Sequence, residues 1–454
     1  MNIILVDRGS YFIDNILETT DWNIVVLITD DKNKYKDNCR IKNIYSFSEF
    51  LEIEDVENID YEEFMKYKHI QYINEYGFRR IYDDYQLNRF DFYTGLSYWL
   101  TIFKKYNVDM TIIADFLHGF RCDYILQEVS KVHNVRTFNI MPSIYNTYII
   151  YDTNNDELLE NIDKNNSIEV EQSMFYSSNI NYDQFNNILE NFGKIKKVLY
   201  KIGGMALIRI VSAIYRRSLK VDLYSRSYSL IEYLINLLKF KWLLKKVEKK
   251  YEDINLNDKY IIYFLHFEPE AVITGNMNAM DNQLTVIKLI TENLPNGWKL
   301  YLKLHPDLFK LNTTSFEYFI PSVNTFNSKM FYDKLLGFKN IKLINHKLNS
   351  SELIKNSSAI ATMIGTVALE ATKYYKPVLL FSAEKNIYKY SNDFFLIKST
   401  NDLRESINKI VNGFLPKYEN LDKICNKYLF KNDENGKNTI VETLKKVLYN
   451  NRKN

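Results

Sequence analysis

Short runs of apolar and β-branched residues alternate along this chain with stretches whose apolar positions recur every three or four residues, and the alternation is clearest between residues 260 and 306. There YIIYFLHFEPE, DNQLTVIKLITEN and WKLYLKLHP follow one another. Residues 260–265 and 299–304 read as strands, and Leu284, Ile287, Leu289 and Ile290 between them fall at helical spacing, so the segment predicts one β-α-β unit. Both strands run out into polar residues unsuited to a sheet core: His266, Glu268 and Glu270 after the first, His305 and Asp307 after the second. In an open parallel sheet the groups just past the carboxyl ends of strands face the ligand crevice, which makes these the first candidates for chemistry.

The same alternation opens the chain. Residues 2–6 and 23–29 are strand-like, residues 11–20 between them are helical in spacing, and the strands end in Asp7-Arg8-Gly9-Ser10 and Asp30-Asp31. Residues 47–106 are charged, aromatic and predicted mostly helical. A strand at 109–114, a helix at 123–133 and a strand at 135–140 follow, closed by a turn at Met141-Pro142-Ser143. Residues 145–182 are polar and acidic and read as a surface excursion. Residues 191–250 are helical and basic, with Lys194, Lys196, Lys197, Lys201, Arg209, Arg216, Arg217 and Lys220 around an apolar core at 202–215. Beyond the central unit, a helix at 328–336 and a strand at 341–344 are expected. Asn349 and Glu352 form a capping-box pattern before a short helix ending near Asn356. Strands at 359–363 and 377–381 follow, and helices at 402–411 and 438–449 finish the chain.

At 454 residues the chain exceeds one ordinary core, and two domains of roughly 200 residues each are expected. We place them at 1–250, with a helical insertion at about 190–250, and at 251–454, with the last helices able to return to the first domain. A hydrophobic content of 46% with 25% charged residues is that of a folded protein. The net charge of +3 is small for this length and does not suggest nucleic-acid binding. Cys39, Cys122 and Cys425 are isolated, giving neither a disulfide framework nor a metal clip, which fits a reducing, cytoplasmic setting. The start carries Asp7 and no basic run before an apolar core, so it reads as a strand and not a signal peptide. No apolar run approaches the ~20 residues of a membrane span. The basic segment at 191–220 has two readings: a helix lying on anionic lipid at the inner membrane, or helices packed on the domain seam with solvated cations.

Three places in the second half could carry chemistry. The turn Gly365-Thr366 leads directly from a strand into a helix, and free backbone N–H groups at a helix start suit a phosphate; Gly365 allows close approach and Thr366 adds a hydroxyl. Glu370, one turn on, would repel phosphate and suits ribose hydroxyls. His305-Pro306 can hydrogen-bond a nucleotide phosphate or protonate it as it leaves. Glu268-Pro269-Glu270 offers two carboxylates as base, sugar ligand or loop brace. In the first half Asp115 and His118 sit at a strand-to-helix junction, where either could be the base that takes a proton from an acceptor hydroxyl. Plain structural alternatives stand beside each: Asp115 and Asp123 as helix caps, Glu370 in an ion pair, His305 as a strand-end histidine. The six histidines form no HxxxH or HExxH pattern, so no metal site is expected. P-loop, GxGxxG and GxSxG motifs are absent, against an ATPase, a dinucleotide dehydrogenase and an α/β-hydrolase.

The order YIIYFLHFEPE, Asp281-x-Gln283, GWKLYLKLHP, FYDKLL, NIKLI, SSELIKNSSAIATMIGTVALEA and KPVLLF resembles the capsular polysaccharide biosynthesis proteins, bacterial glycosyltransferases that include the Kdo transferases of capsule assembly. The resemblance covers about residues 259–381 and is weaker at 115–143. It implies an α/β GT-B architecture, two Rossmann-like domains facing each other across a cleft, with the nucleotide held mainly by the second. His305 and Pro306 then match the family's nucleotide-contacting HP motif, Gly365, Thr366 and Glu370 its glycine-threonine turn and following glutamate, and Glu268-Pro269-Glu270 a motif usually read Gln-Pro-Glu. Glu268, Leu369 where Trp is frequent, and Asn327 where Arg is usual depart from the pattern and bear on donor identity. The activity implied is metal-independent transfer from a nucleotide-sugar donor, CMP-linked Kdo or a sialic-type acid ahead of a UDP-sugar, to a glycan or glycolipid acceptor. No cofactor is implied beyond the donor as substrate. The rival classes are a nucleotide-sugar epimerase on the same scaffold and a non-catalytic assembly protein that binds glycan or membrane.

Overall fold

The computed structural model describes residues 1–72, 85–114, 121–163, 166–168, 230–266, 282–309, 328–381 and 386–451. They form two α/β halves, each built on a sheet whose central strands run parallel.

The first sheet contains β1 (Asn2–Val6), β2 (Asn23–Ile28), β3 (Ile41–Tyr45), β4 (Met110–Ile113), β5 (Arg136–Ser143), β6 (Thr147–Asp152) and β7 (Glu157–Leu158). The second contains β8 (Tyr260–Phe264), β9 (Lys299–Lys303), β10 (Ile341–Ile344), β11 (Ala359–Thr362), β12 (Val378–Leu380) and β13 (Phe394–Leu396). A late two-residue strand, β14 (Phe430–Lys431), joins the first sheet. Helices used below are α1 (Ile13–Thr19), α2 (Tyr85–Lys105), α3 (Leu126–Val132), α4 (Leu230–Glu248), α5 (Gln283–Asn293), α6 (Ser350–Asn356), α7 (Val367–Thr372), α8 (Leu421–Tyr428) and α9 (Glu434–Asn451).

In space the second sheet runs β10-β9-β8-β11-β12-β13, and every pair in it is parallel. Helices cover both faces, which is why its strands read as nearly continuous apolar runs instead of alternating ones. The pleat sends Ile261, Tyr263, Leu300 and Leu302 into one core with Val286, Ile287 and Ile290 of α5. Tyr260, Ile262, Tyr301 and Ile360 go to the other face, against Leu353 and Ile354 of α6 and Ala368 and Ala371 of α7. Tyr260 and Tyr301 stack there at 4.3 Å, and the Tyr260 hydroxyl donates to the Leu353 carbonyl at 2.7 Å. Asn349 caps α6 by accepting the N–H groups of Ser351 and Glu352, as the sequence pattern predicts.

The first sheet runs β3-β2-β1-β4-β5-β6-β14, with β7 on β6. Its five strands β1 to β5 are parallel and β6 turns back antiparallel. Two expectations are corrected here. Met141-Pro142-Ser143 is not a turn but the end of β5, and residues 147–152 are a fully buried strand rather than surface. Proline fits because β5 pairs with β4 only as far as Asn139; beyond it Pro142 faces β6 alone, opposite Tyr148.

The halves meet along a polar and apolar seam. Leu158 N–H donates to the Tyr390 hydroxyl at 2.9 Å, Asn161 bonds the carbonyls of Lys427 and Leu429, and Ile168 N–H reaches the Asn426 side chain. After α8 the chain crosses through β14, pairs with β6, and α9 lies beside α1, where Asn15 donates to Glu434 and Asn438. On the other side α4 buries Phe240, Leu244 and Val247 in the second half's core.

Candidate functional site

The order of the second sheet fixes where a ligand crevice opens. After β8 the chain builds outward through β9 and β10, then jumps back to lay β11 on the opposite side of β8, so β8 and β11 form the topological switch point. The residues beyond their carboxyl ends are His266 and Ile364-Gly365-Thr366, and the structure ties them together.

Thr362, the last residue of β11, has no solvent exposure. Its hydroxyl accepts the Gly365 N–H at 3.1 Å and lies 3.1 Å from Nε2 of His266. The Ile364 N–H makes a longer contact, 3.5 Å, with the same nitrogen. A nitrogen approached by an N–H is an acceptor, so the ring proton belongs on Nδ1 and the Thr362 hydroxyl donates to Nε2. Gly365 N–H, Thr362 hydroxyl and His266 imidazole thus form one relay. Behind it, the His266 N–H donates to Oε1 of Gln283 at 2.8 Å, which fastens the start of α5 to the end of β8.

Gly365 is required by close approach. A Cβ there would stand 2.8 Å from the Thr362 hydroxyl and 3.5 Å from Cε1 of His266. From this turn α7 starts with the N–H groups of Ala368, Leu369 and Glu370 bonded back to Gly365 and Thr366. The N–H groups of Thr366 and Val367 have no acceptor among the described residues, and Thr366 is exposed.

His305 stands one strand further out, two residues past β9, half-buried, with its carbonyl closing the 3-10 turn Pro306–Phe309 through the Leu308 N–H at 3.2 Å. Pro306 is exposed. With β8 between them, strands β9 and β11, which lead to His305 and Gly365, lie two strand spacings, about 10 Å, apart. That spacing suits an extended ligand lying along the sheet edge rather than one anion held by both. Lys303 and Glu370 lie beside this edge. Lys303 is buried and donates to the Ser350 hydroxyl at 2.7 Å. Burial pulls its pKa down, countered by the Glu370 carboxylate. Burial likewise pushes Glu370 up, countered by Lys373 and Lys303.

The register continues a row. Phe264 pairs with Lys303 and Lys303 with Ile344; two residues past each comes a histidine, His266, His305 and His346. His346 serves the edge of the sheet, stacked on Phe309 at 3.6 Å with Nδ1 3.0 Å from the Tyr251 hydroxyl. Burial holds its pKa below the ordinary histidine range. Among the described residues no three His, Cys, Asp or Glu side chains gather as metal ligands.

In the first sheet the corresponding switch point lies between β1 and β4. Asp7, at the end of β1, is buried and accepts the N–H groups of Tyr11 and Phe12 at 2.9 and 2.7 Å, fixing the entry to α1. Past β4, Asp115 and His118 fall outside the described residues, as do Glu268 and Glu270 in the second half, Asn327, and the basic segment 191–220. Arg121, the first described residue after His118, is buried: its Nε lies 2.8 Å from Asp91, and its guanidinium also donates to the carbonyls of Ile53 and Leu51. Asp123 is buried in a π-helical turn (Arg121–Ile125) ahead of α3 and accepts the Tyr124 N–H.

Thr362 and Gln283 carry no catalytic signature in sequence, and their part in the site comes from the strand order. His266 is legible as a strand-end histidine but is distinguished from His305 only by the β8–β11 pairing.

No family model matches the chain, and no curated protein matches it. Solved structures do. The UDP-GlcNAc 2-epimerase from Neisseria meningitidis, bound to UDP-GlcNAc, is 14% identical over 98% of this chain and 100% of its own, with a TM-score of 0.23. The Rickettsia bellii UDP-N-acetylglucosamine 2-epimerase is 12% identical over 99% and 98%, TM-score 0.27. The calicheamicin glycosyltransferase is 8% identical over 97% and 94%, TM-score 0.23.

Proposed function

We propose that this protein is a glycosyltransferase that holds a nucleotide-activated sugar along the carboxyl edge of its second sheet and transfers the sugar to a bacterial capsule or surface glycan. The observation that carries this reading is the junction of His266, Thr362 and the Gly365-Thr366 turn at the β8–β11 switch point, with His305 on the next strand. The order of motifs across residues 259–381, which resembles the capsular glycosyltransferases, supports it further. In this reading the Thr366 and Val367 N–H groups and the Thr366 hydroxyl receive a donor phosphate. His305 contacts the nucleotide phosphate from the side, Pro306 sets the turn, and Glu370 accepts from ribose hydroxyls. Asp115 or His118 of the first half removes the acceptor proton, and Glu268 and Glu270 contact sugar. A CMP-linked Kdo or sialic-type donor is favoured over a UDP-sugar, and no metal is required.

Thermal-shift titration with CMP, UDP, GDP and CDP tests the nucleotide, since a ligand bound only by the folded chain raises apparent stability. Product analysis tests the reaction. Glycan elongation that depends on added acceptor and persists in EDTA is expected; consumption of a UDP-sugar with release of free sugar and no acceptor assigns an epimerase instead. Glycan binding unchanged in His305→Ala and Thr366→Ala, with no turnover, would point to a non-catalytic assembly protein.

A further inference from the structure

Helix α4 has a face that the second half's core does not use. Phe240, Leu244 and Val247 point into that core, one helical face of the segment. The opposite face runs Leu238, Trp242, Lys245 and Lys249, at helical spacing, with Lys241 and Lys246 on its flanks. Leu238 is 67% exposed and Trp242 is 59% exposed. Lys239, Lys241, Lys245, Lys246, Lys249 and Lys250 are all exposed, and Glu248, half-buried, is the one acidic residue between 238 and 250. Among the described residues none of these lysines forms an ion pair. The Lys246 ammonium instead sits 3.4 Å over the Trp242 ring, one turn back.

The exposure of Trp242 is not the rule for tryptophan here. Trp22, Trp99 and Trp298 are 5%, 0% and 9% exposed. A leucine and a tryptophan adjacent on an outward crest, ringed by lysines, expose apolar surface where charge alone would suffice for solubility. The same composition matches what an anionic bilayer offers. Indole seats at the level of the headgroups, the leucine reaches the acyl boundary, and the lysines meet anionic phosphates. A nucleic acid would use the lysines but leave Leu238 without a partner.

We propose that the Leu238–Trp242 crest of α4 docks on an anionic lipid surface, with the helix lying in the plane of the interface and its buried face still in the protein core. This inference goes beyond the transferase reading and does not depend on it.

The test uses the full chain and vesicles of phosphatidylcholine with and without phosphatidylglycerol. We expect co-sedimentation with the anionic vesicles alone, weakened by salt, and a blue shift of tryptophan emission with quenching by brominated lipid. Because the other three tryptophans are buried, that signal belongs to Trp242, and Trp242→Phe is expected to remove it. The combined variant Lys241→Gln, Lys245→Gln, Lys246→Gln is expected to bind about a hundredfold more weakly, at roughly fivefold per lysine. Its far-ultraviolet circular dichroism should match that of the parent. No binding to anionic vesicles overturns the proposal. So does equal binding to neutral vesicles, undiminished binding by the triple variant, or binding to duplex DNA that anionic vesicles do not compete away.

Discussion

The relay at the switch point makes a sharp demand on Thr362. Replacing it by valine keeps the shape and removes only the hydroxyl, so no cavity enters the accounting. What is lost is the acceptor for the Gly365 N–H and the donor to His266 Nε2, both at 3.1 Å in a place with no solvent at Thr362 and 9% exposure at His266. Two net hydrogen bonds plus the desolvation of the groups left behind amount to about 2–3 kcal/mol. For a half of this size that lowers its melting temperature by about 5–10 °C. Thr362→Ser keeps the relay and loses a methyl, about 1 kcal/mol. The assay pairs thermal denaturation with hydrogen exchange of a peptide spanning 360–368. In the valine variant the Gly365 amide is expected to exchange faster, and nucleotide affinity to fall with it; serine is expected to preserve both. If valine lies within about 0.5 kcal/mol of the parent, or valine and serine behave alike, the hydroxyl is not holding the turn and the reasoning fails.

Gly365→Ala should cost about 1–3 kcal/mol, because the new methyl meets the Thr362 hydroxyl at 2.8 Å in a packed site; denaturant midpoints check this. Glu370→Gln should stabilise the chain at neutral pH. Burial raises the Glu370 pKa above its ordinary 4.5, so the folded state binds the extra proton and stability contributed by the neutral form is lost as pH rises through the raised value. Parent and variant are therefore expected to be alike below about pH 4.5 and to diverge above it, in denaturation followed against pH. Asp91→Ala strands Arg121 in a buried site and should cost about 3–5 kcal/mol, read as loss of the first half's cooperative unfolding while the second half melts normally. His305→Ala is expected to weaken nucleotide binding in calorimetry with little change in melting temperature, since the residue lies past the end of its strand and is half-buried.

The second sheet was legible because both of its faces are covered. Tyr260, Ile261, Ile262 and Tyr263 are all buried, so the strand is a solid apolar run and its end is marked by the first polar residues. β11 is likewise buried throughout, and in β9 the apolar run Leu300–Leu302 stands between two lysines. The first sheet hid β6 for a compositional reason: Thr147–Asp152 runs straight into an Asn- and Asp-rich stretch, and a window that includes it averages to polar. Strand β14 has two residues and no pattern to read; its place comes from pairing with β6 alone.

The candidate site was legible as a set of strand ends but not as an arrangement, because periodicity gives β-α-β units and says nothing of their order in space. His266, His305 and His346 occupy the same offset after three strands, and nothing local to them separates their roles. The order β10-β9-β8-β11 does. His346 lies past the edge strand of the sheet and is taken up by Phe309 and Tyr251. His305 is next, half-buried beside the crevice. His266 alone borders the strand that arrives from the other direction, and so it alone reaches Thr362 and the turn that starts α7. The strand order places β8 between the strand that ends before His305 and the one that leads to Gly365. His266 therefore shapes the turn from within, and in the proposed reading His305 meets the part of the donor that reaches across β8.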